Sequence, residues 1–146
     1  MRGQGKRRFT QEVTTYVSGF FDPLTGNEKD MSEQHLKPVV RIAISLEGEN
    51  HGSMYGRGVA ELCQGVLTYG SLNAAAKNMH MAYSKAWRIM KNTEQRLNVT
   101  LIDRDGAHGS TLTAEGQQLL KTWNDINRKV TAYANKTFEK MYYGSH

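Results

Sequence analysis

At about 100° per residue from Tyr83, the side chains of Ser84, Arg88, Lys91, Asn92 and Gln95 share one side of a helix. Ala86, Ile89, Met90, Thr93 and Leu97 share the other. The polar side presents hydroxyl, amide, guanidinium and ammonium groups and no carboxylate. Such groups donate hydrogen bonds and neutralise negative charge. Their lengths suit base edges and phosphates in a major groove. A solvated amphipathic helix carries the same kind of charge pattern, so this face alone does not separate the two readings.

Covalent chemistry finds little support. Ser84 and Lys85 are adjacent, as in a Ser/Lys nucleophile, but both lie on or beside the face that would enter a groove, and no triad can be assembled around them. The five histidines, His35, His51, His80, His108 and His146, have no cysteine or carboxylate partners at metal-ligand spacing. No GxxxxGK[ST] phosphate loop occurs. The single cysteine, Cys63, falls within the apolar series Val59, Leu62, Cys63, Val66 and Leu67, which makes it core rather than nucleophile. The expectation is a protein that is not an enzyme, with no metal site, no cofactor and no small-molecule site.

Two helices meeting at a tight turn must position the cationic face. Gly70 suits the position just past a helix end, and Ser71 can cap the next helix through its hydroxyl. Leu72, Ala75, Ala76 and Met79 then give one apolar face. The run Ala74-Ala75-Ala76 lets another helix backbone come close, as a sharp corner requires. His80 to Ala82 makes the corner, and the second helix runs from Tyr83 to Leu97. The pattern is a helix-turn-helix.

Three blocks carry a resemblance over a longer span: YGSLNAAAKNMHMAYSKAW at 69 to 87, LNVTLIDR at 97 to 104 and LTAEGQQLL at 112 to 120. From Gly58 to about Leu120 the chain resembles the N-terminal DNA-binding domain of LysR-type regulators, more closely their ModE-like, molybdate-responsive branch. The Ala82-Tyr83-Ser84-Lys85-Ala86-Trp87 run carries that preference. Two departures stand out. Ala82 replaces the serine usual before the recognition helix, and the glycine-rich wing is reduced to Gly106-Ala107-His108-Gly109. The oxyanion domain of full ModE proteins has no counterpart here.

The rest of the chain fits this frame. With 146 residues there is room for one domain with appendages. The net charge of +5 and pI near 9.4 favour a phosphate-rich partner. No apolar run approaches a membrane span and no signal-peptide pattern opens the chain, so a cytoplasmic protein is expected. Residues 1–37 form an extension, basic at Arg2, Lys6, Arg7 and Arg8, then partly apolar from Phe9 to Phe21 before a break at Asp22-Pro23 and Thr25-Gly26-Asn27. Pro38 to Glu47, with Val40, Ile42, Ile44 and Leu46 alternating, predicts a strand ending at the Gly48-Glu49-Asn50 turn. A helix follows from Val59 to Tyr69. Thr100 to Arg104 and Ser110 to Thr113 look like the two strands of a wing.

Thr113 can cap a long last helix in which Leu119, Trp123, Ile126, Val130 and Tyr133 alternate spacings of four and three. That stripe suits either a domain-packing face or a helix seam. The resemblance implies a dimer, because LysR-type proteins pair through this helix.

The combined expectation is a mostly α fold with a small β component (α+β), a winged helix-turn-helix with a long C-terminal dimerisation helix. Its parts are an extension over 1–37, the DNA-binding domain over 38–112 and the dimerisation helix over 113–143. The partners are double-stranded DNA and a second copy, with no membrane. Tyr83, Ser84, Lys85 and Arg88 are the base-edge candidates, because they lie at the helix end that enters the groove. Ser71, Lys77, Lys91, Arg104 and His108 are the phosphate candidates. Trp87 lies between the two faces and is expected to pack on the fold. The alternative is a winged helix that binds a partner protein through Tyr16 to Phe21 and the last helix, without specific DNA binding.

Overall fold

A computed structural model describes residues 20–22, 27–29, 34–49, 54–104 and 109–144. The chain divides into two units, Met1–Lys37 and Pro38–His146. In the first, β1 (Phe20–Asp22) and β2 (Asn27–Lys29) pair antiparallel, with Phe20 opposite Lys29 and Asp22 opposite Asn27. The apolar stretch expected before Phe20 and the basic residues at the start lie outside the described residues, as do Asn50 to Ser53 and the wing tip, Asp105 to His108.

The second unit is built on α1 (Arg57–Tyr69), α2 (Leu72–Asn78) and α3 (Tyr83–Leu97). It continues through β3 (Ile102–Arg104), β4 (Ser110–Leu112) and α4 (Ala114–Phe138), and closes with a π-helical turn, Glu139–Tyr143. The periodic apolar residues of α1 to α3 converge on one core of Val59, Leu62, Cys63, Val66, Leu72, Ala75, Ala76, Ala86, Met90 and Leu97. Fully burying one of the larger of these side chains stabilises the fold by about 1.5–3 kcal/mol.

Local signals end and start the helices. Gly70 takes a left-handed φ of 80° and its N–H donates to the Val66 carbonyl at 2.9 Å, closing α1. Ser71 Oγ then accepts from the Ala74 N–H at 3.0 Å and caps α2. The corner passes through His80 at φ 54°, while the Met81 N–H reaches back to the Ala76 carbonyl at 2.9 Å. Ala82 precedes α3 with no side-chain cap, as its residue type dictates. Thr113 Oγ1 accepts from the Gly116 N–H at 2.9 Å and caps α4, and its hydroxyl donates to the Thr100 carbonyl.

The close approach at the α1–α2 corner comes from a glycine facing an alanine. A Cβ on Gly65 would stand 2.5 Å from the Ala75 Cβ and 3.0 Å from its Cα. The small-residue run therefore needs Gly65 opposite it.

The strand expected over Pro38 to Glu47 does not form. The segment is extended, but only Ile44 pairs, in an isolated antiparallel bridge with Tyr55 through two hydrogen bonds of 2.8 and 2.9 Å. Ile42 and Ile44 do pack on the core, whereas Val39 and Leu46 are exposed. An alternating pattern can put one side of a segment on a core, but a ladder also needs a neighbouring edge, and here that edge is a single residue.

Tyr55 is fully buried and its hydroxyl faces the Cys63 thiol. Burial pushes the tyrosine hydroxyl up from its ordinary pKa, with the neighbouring Cys63 adding to the effect. Burial likewise pushes the Cys63 thiol up to about 11, partly offset by the neighbouring Tyr55 hydroxyl. Cys63 is thus a buried core residue, as the sequence implied.

Candidate nucleic-acid interface

Helix α3 presents three faces. Ala86, Met90, Thr93 and Leu97 are buried, with the Thr93 hydroxyl donating to the Ile89 carbonyl at 2.9 Å. Ser84, Lys85, Arg88, Asn92 and Gln95 are exposed. Between these two sides runs a third line, Tyr83, Trp87, Lys91 and Glu94, which lies within about 80° of helix rotation and so forms one stripe.

The wing meets that stripe. In the β3–β4 ladder Ile102 pairs with Leu112, Asp103 with Thr111 and Arg104 with Ser110. Ile102 and Leu112 are buried and the middle pair is exposed, so alternation puts Arg104 on the same side of the ladder as Ile102. Its guanidinium carbon lies 3.6 Å from the centroid of the Trp87 ring and 5.9 Å from that of Tyr83. One guanidinium N–H donates to the Tyr83 hydroxyl. The Lys91 ammonium stands 4.5 Å from the Trp87 centroid and 3.7 Å from Glu94 Oε1. Glu94, which the sequence reading passed over, is buried.

A groove of about 370 Å³ opens beside this cluster, lined by Ser71, Leu72, Asn73, Tyr83, Arg104, Gly109 and Ser110. Its far wall depends on Gly109. At φ 99° that residue brings β4 against the end of α1, and the Ser110 N–H donates to the Gly70 carbonyl at 3.1 Å. A Cβ on Gly109 would meet the Gly70 carbonyl oxygen at 2.4 Å.

The four base-edge candidates therefore share the first two turns of α3 and are all exposed, with the Tyr83 hydroxyl already accepting from Arg104. Ser71, Tyr83 and Arg104 line one groove. Lys77 is exposed on the last turn of α2, Lys91 sits over Trp87, and His108 lies outside the described residues. Of the stripe on α4, Leu119 packs on the core and Trp123 is buried, its Nε1–H donating to the Ile42 carbonyl at 3.2 Å. Ile126 and Val130 are each 40% exposed and Tyr133 is 72% exposed.

Among the described residues no group of three or more His, Cys, Asp or Glu side chains is placed to hold a metal ion, and no helix is long and apolar enough to cross a membrane. Around α3 the arrangement offers donors and cations for non-covalent recognition.

Residues 60–117 match the family described as bacterial regulatory helix-turn-helix protein, lysR family. Among solved structures, the CbnR DNA-binding domain in complex with DNA is 27% identical over 53% of this chain and 88% of its own, with a TM-score of 0.47. Full-length CbnR, a LysR family transcriptional regulator, is 26% identical over 55% of this chain with a TM-score of 0.46. VV2_1132, another such regulator, is 25% identical over 56% with a TM-score of 0.45. The chain spans 27% of the length of each of these two. No curated protein matches the chain. The family match is to lysR and does not support the ModE-like branch. Residues 60–117, which hold α2 and α3, are thus similar to the helix-turn-helix of the lysR family.

Proposed function

We propose that this chain reads a specific duplex DNA sequence as a homodimer and regulates transcription. The observation that carries the reading is the first half of α3: Ser84, Lys85 and Arg88 are exposed together with no carboxylate among them, beside a wing fixed to the same helix. Arg88 can make a bidentate contact to a guanine edge, and Ser84 and Lys85 reach neighbouring edges from the groove-entering end. Lys77 and Ser71, on the helix before, are placed to meet flanking phosphates.

Pairing is supported by α4. Leu119 and Trp123 pack within the domain, while Ile126, Val130 and Tyr133 continue the same stripe into solvent. A row of this kind beyond the domain's edge suits a second copy of the helix. The ModE-like affinity rests on the Ala82 to Trp87 run, and the cytoplasmic setting on the DNA partner.

Selection of bound sites from a random duplex library tests the reading. Enrichment of a two-fold symmetric site with half-sites about one helical turn apart is expected. Recovery of unenriched sequence after repeated rounds contradicts it.

A further inference from the structure

Arg104 is a wing cation set against α3, yet its guanidinium is engaged by the protein itself. It lies 3.6 Å from the Trp87 ring centroid, the range of a stacked cation–π contact, and one N–H is held by the Tyr83 hydroxyl. Using it on a phosphate would mean leaving the indole, the hydroxyl or both. Lys91, beside the same indole, extends the linked row to Glu94. Arginine suits this position because its plane matches the ring while its fork still reaches sideways; lysine has no plane to stack.

The contact also fixes a polarity. Guanidinium has five N–H donors and no acceptor. The Tyr83 oxygen must therefore accept, and its own proton is left to point away from Arg104. We infer that Arg104 is a positioning residue that acts through Trp87 and Tyr83, holding Tyr83 as a hydrogen-bond donor to an acceptor edge of a base. This role rests on the DNA-reading function proposed above. In the major groove such acceptors are guanine N7 and O6, adenine N7 and thymine O4, whereas the cytosine N4 and adenine N6 amino groups are refused. Tyr83 thus contributes a preference, and Arg104 secures it without touching the duplex.

Arg104→Lys, Arg104→Ala, Tyr83→Phe and the Arg104→Ala/Tyr83→Phe pair separate this from a phosphate contact. Each is measured for equilibrium binding to the selected duplex and to random duplex across a salt series. The positioning role expects Arg104→Lys and Arg104→Ala alike to lose roughly tenfold of the selected-over-random ratio, about the size of one lost base contact, with the salt slope unchanged. Tyr83→Phe should lose the same, and the pair no more than either single change. Lysine that rescues alanine, with a slope smaller by about 0.9 in Arg104→Ala and equal loss on both duplexes, makes Arg104 a phosphate contact and overturns the inference.

A DNA-free arm reads the stack itself. Both Arg104 variants should move the Trp87 indole N–H resonance and leave that of Trp123 in place; an unmoved Trp87 overturns the stack. Wild-type protein without salt-dependent duplex binding defeats the DNA reading, and with it the positioning role, even where the indole shift is seen.

Discussion

Replacing Gly65 with alanine probes the corner that aims the recognition helix, because two opposing effects can be weighed there. In a helix interior the change ordinarily stabilises by about 0.8–1 kcal/mol. Here the new Cβ would lie 2.5 Å from the Ala75 Cβ and 3.0 Å from its Cα, roughly an ångström inside ordinary contact, and an alanine side chain cannot swing away. Relieving the overlap means separating α1 from α2 at their closest approach, and overpacking of this kind costs about 1–3 kcal/mol. The net expectation is a loss of up to about 2 kcal/mol for Gly65→Ala. Gly58 is the control: it lies in the same helix with nothing within 4 Å of its added Cβ, so Gly58→Ala should be neutral or mildly stabilising. Urea denaturation of the two variants gives the comparison, with an unchanged m-value confirming that stability alone moved. Adding Ala75→Gly to Gly65→Ala should recover part of the loss. A Gly65→Ala protein as stable as Gly58→Ala would refute the close approach.

Three further outcomes are expected. Cys63 is held protonated in the fold, its pKa raised from 9.0 to about 11, so its stabilising contribution is complete below 9.0 and disappears as pH rises through about 11; the unfolding free energy from urea titrations should fall by up to about 2–3 kcal/mol across that window, and Cys63→Ala should flatten the fall except for the part due to Tyr55. Joint replacement of Ile126 and Val130 by Asp should give a monomer by light scattering with its helical circular dichroism intact, since the charges would be buried at a seam but exposed in the single chain; a persisting dimer locates the pairing surface elsewhere. Arg88→Ala should reduce preference for the selected duplex, whereas Lys77→Ala should weaken selected and random duplex alike, as competition binding can show.

Much of the domain was legible because its signals are local or periodic. Ser71 and Thr113 are caps that need only the residues following them, and the buried set on α2 and α3 follows helical spacing. What escaped depends on residues far apart in the chain. The Arg104 contact with Tyr83 spans 21 positions and exists only because the wing folds back on α3. Trp123 was one member of a stripe compatible with packing or pairing, and what settles its place is the Ile42 carbonyl 81 positions earlier. Val40 to Leu46 had a strand's alternation without a strand beside it. Gly65 left a readable trace, since an interior helical glycine lowers stability unless something must come close, but its partner Ala75 could not be identified from spacing alone. Glu94 sits between the apolar positions Met90 and Leu97 on α3 and was overlooked for its charge, although its aliphatic stem and the nearby Lys91 let it be buried there.

The central claim is that the exposed start of α3 and its neighbouring cations engage a duplex, and its most direct test is the affinity for a selected site measured against salt. If Lys77 meets a flanking phosphate while Lys85 and Arg88 read base edges as proposed, log K should fall linearly with log salt, by roughly 0.9 for each phosphate neutralised, and selected duplex should be preferred to random duplex throughout. Binding that is indifferent to salt, or equal on both duplexes at every salt concentration, would contradict it.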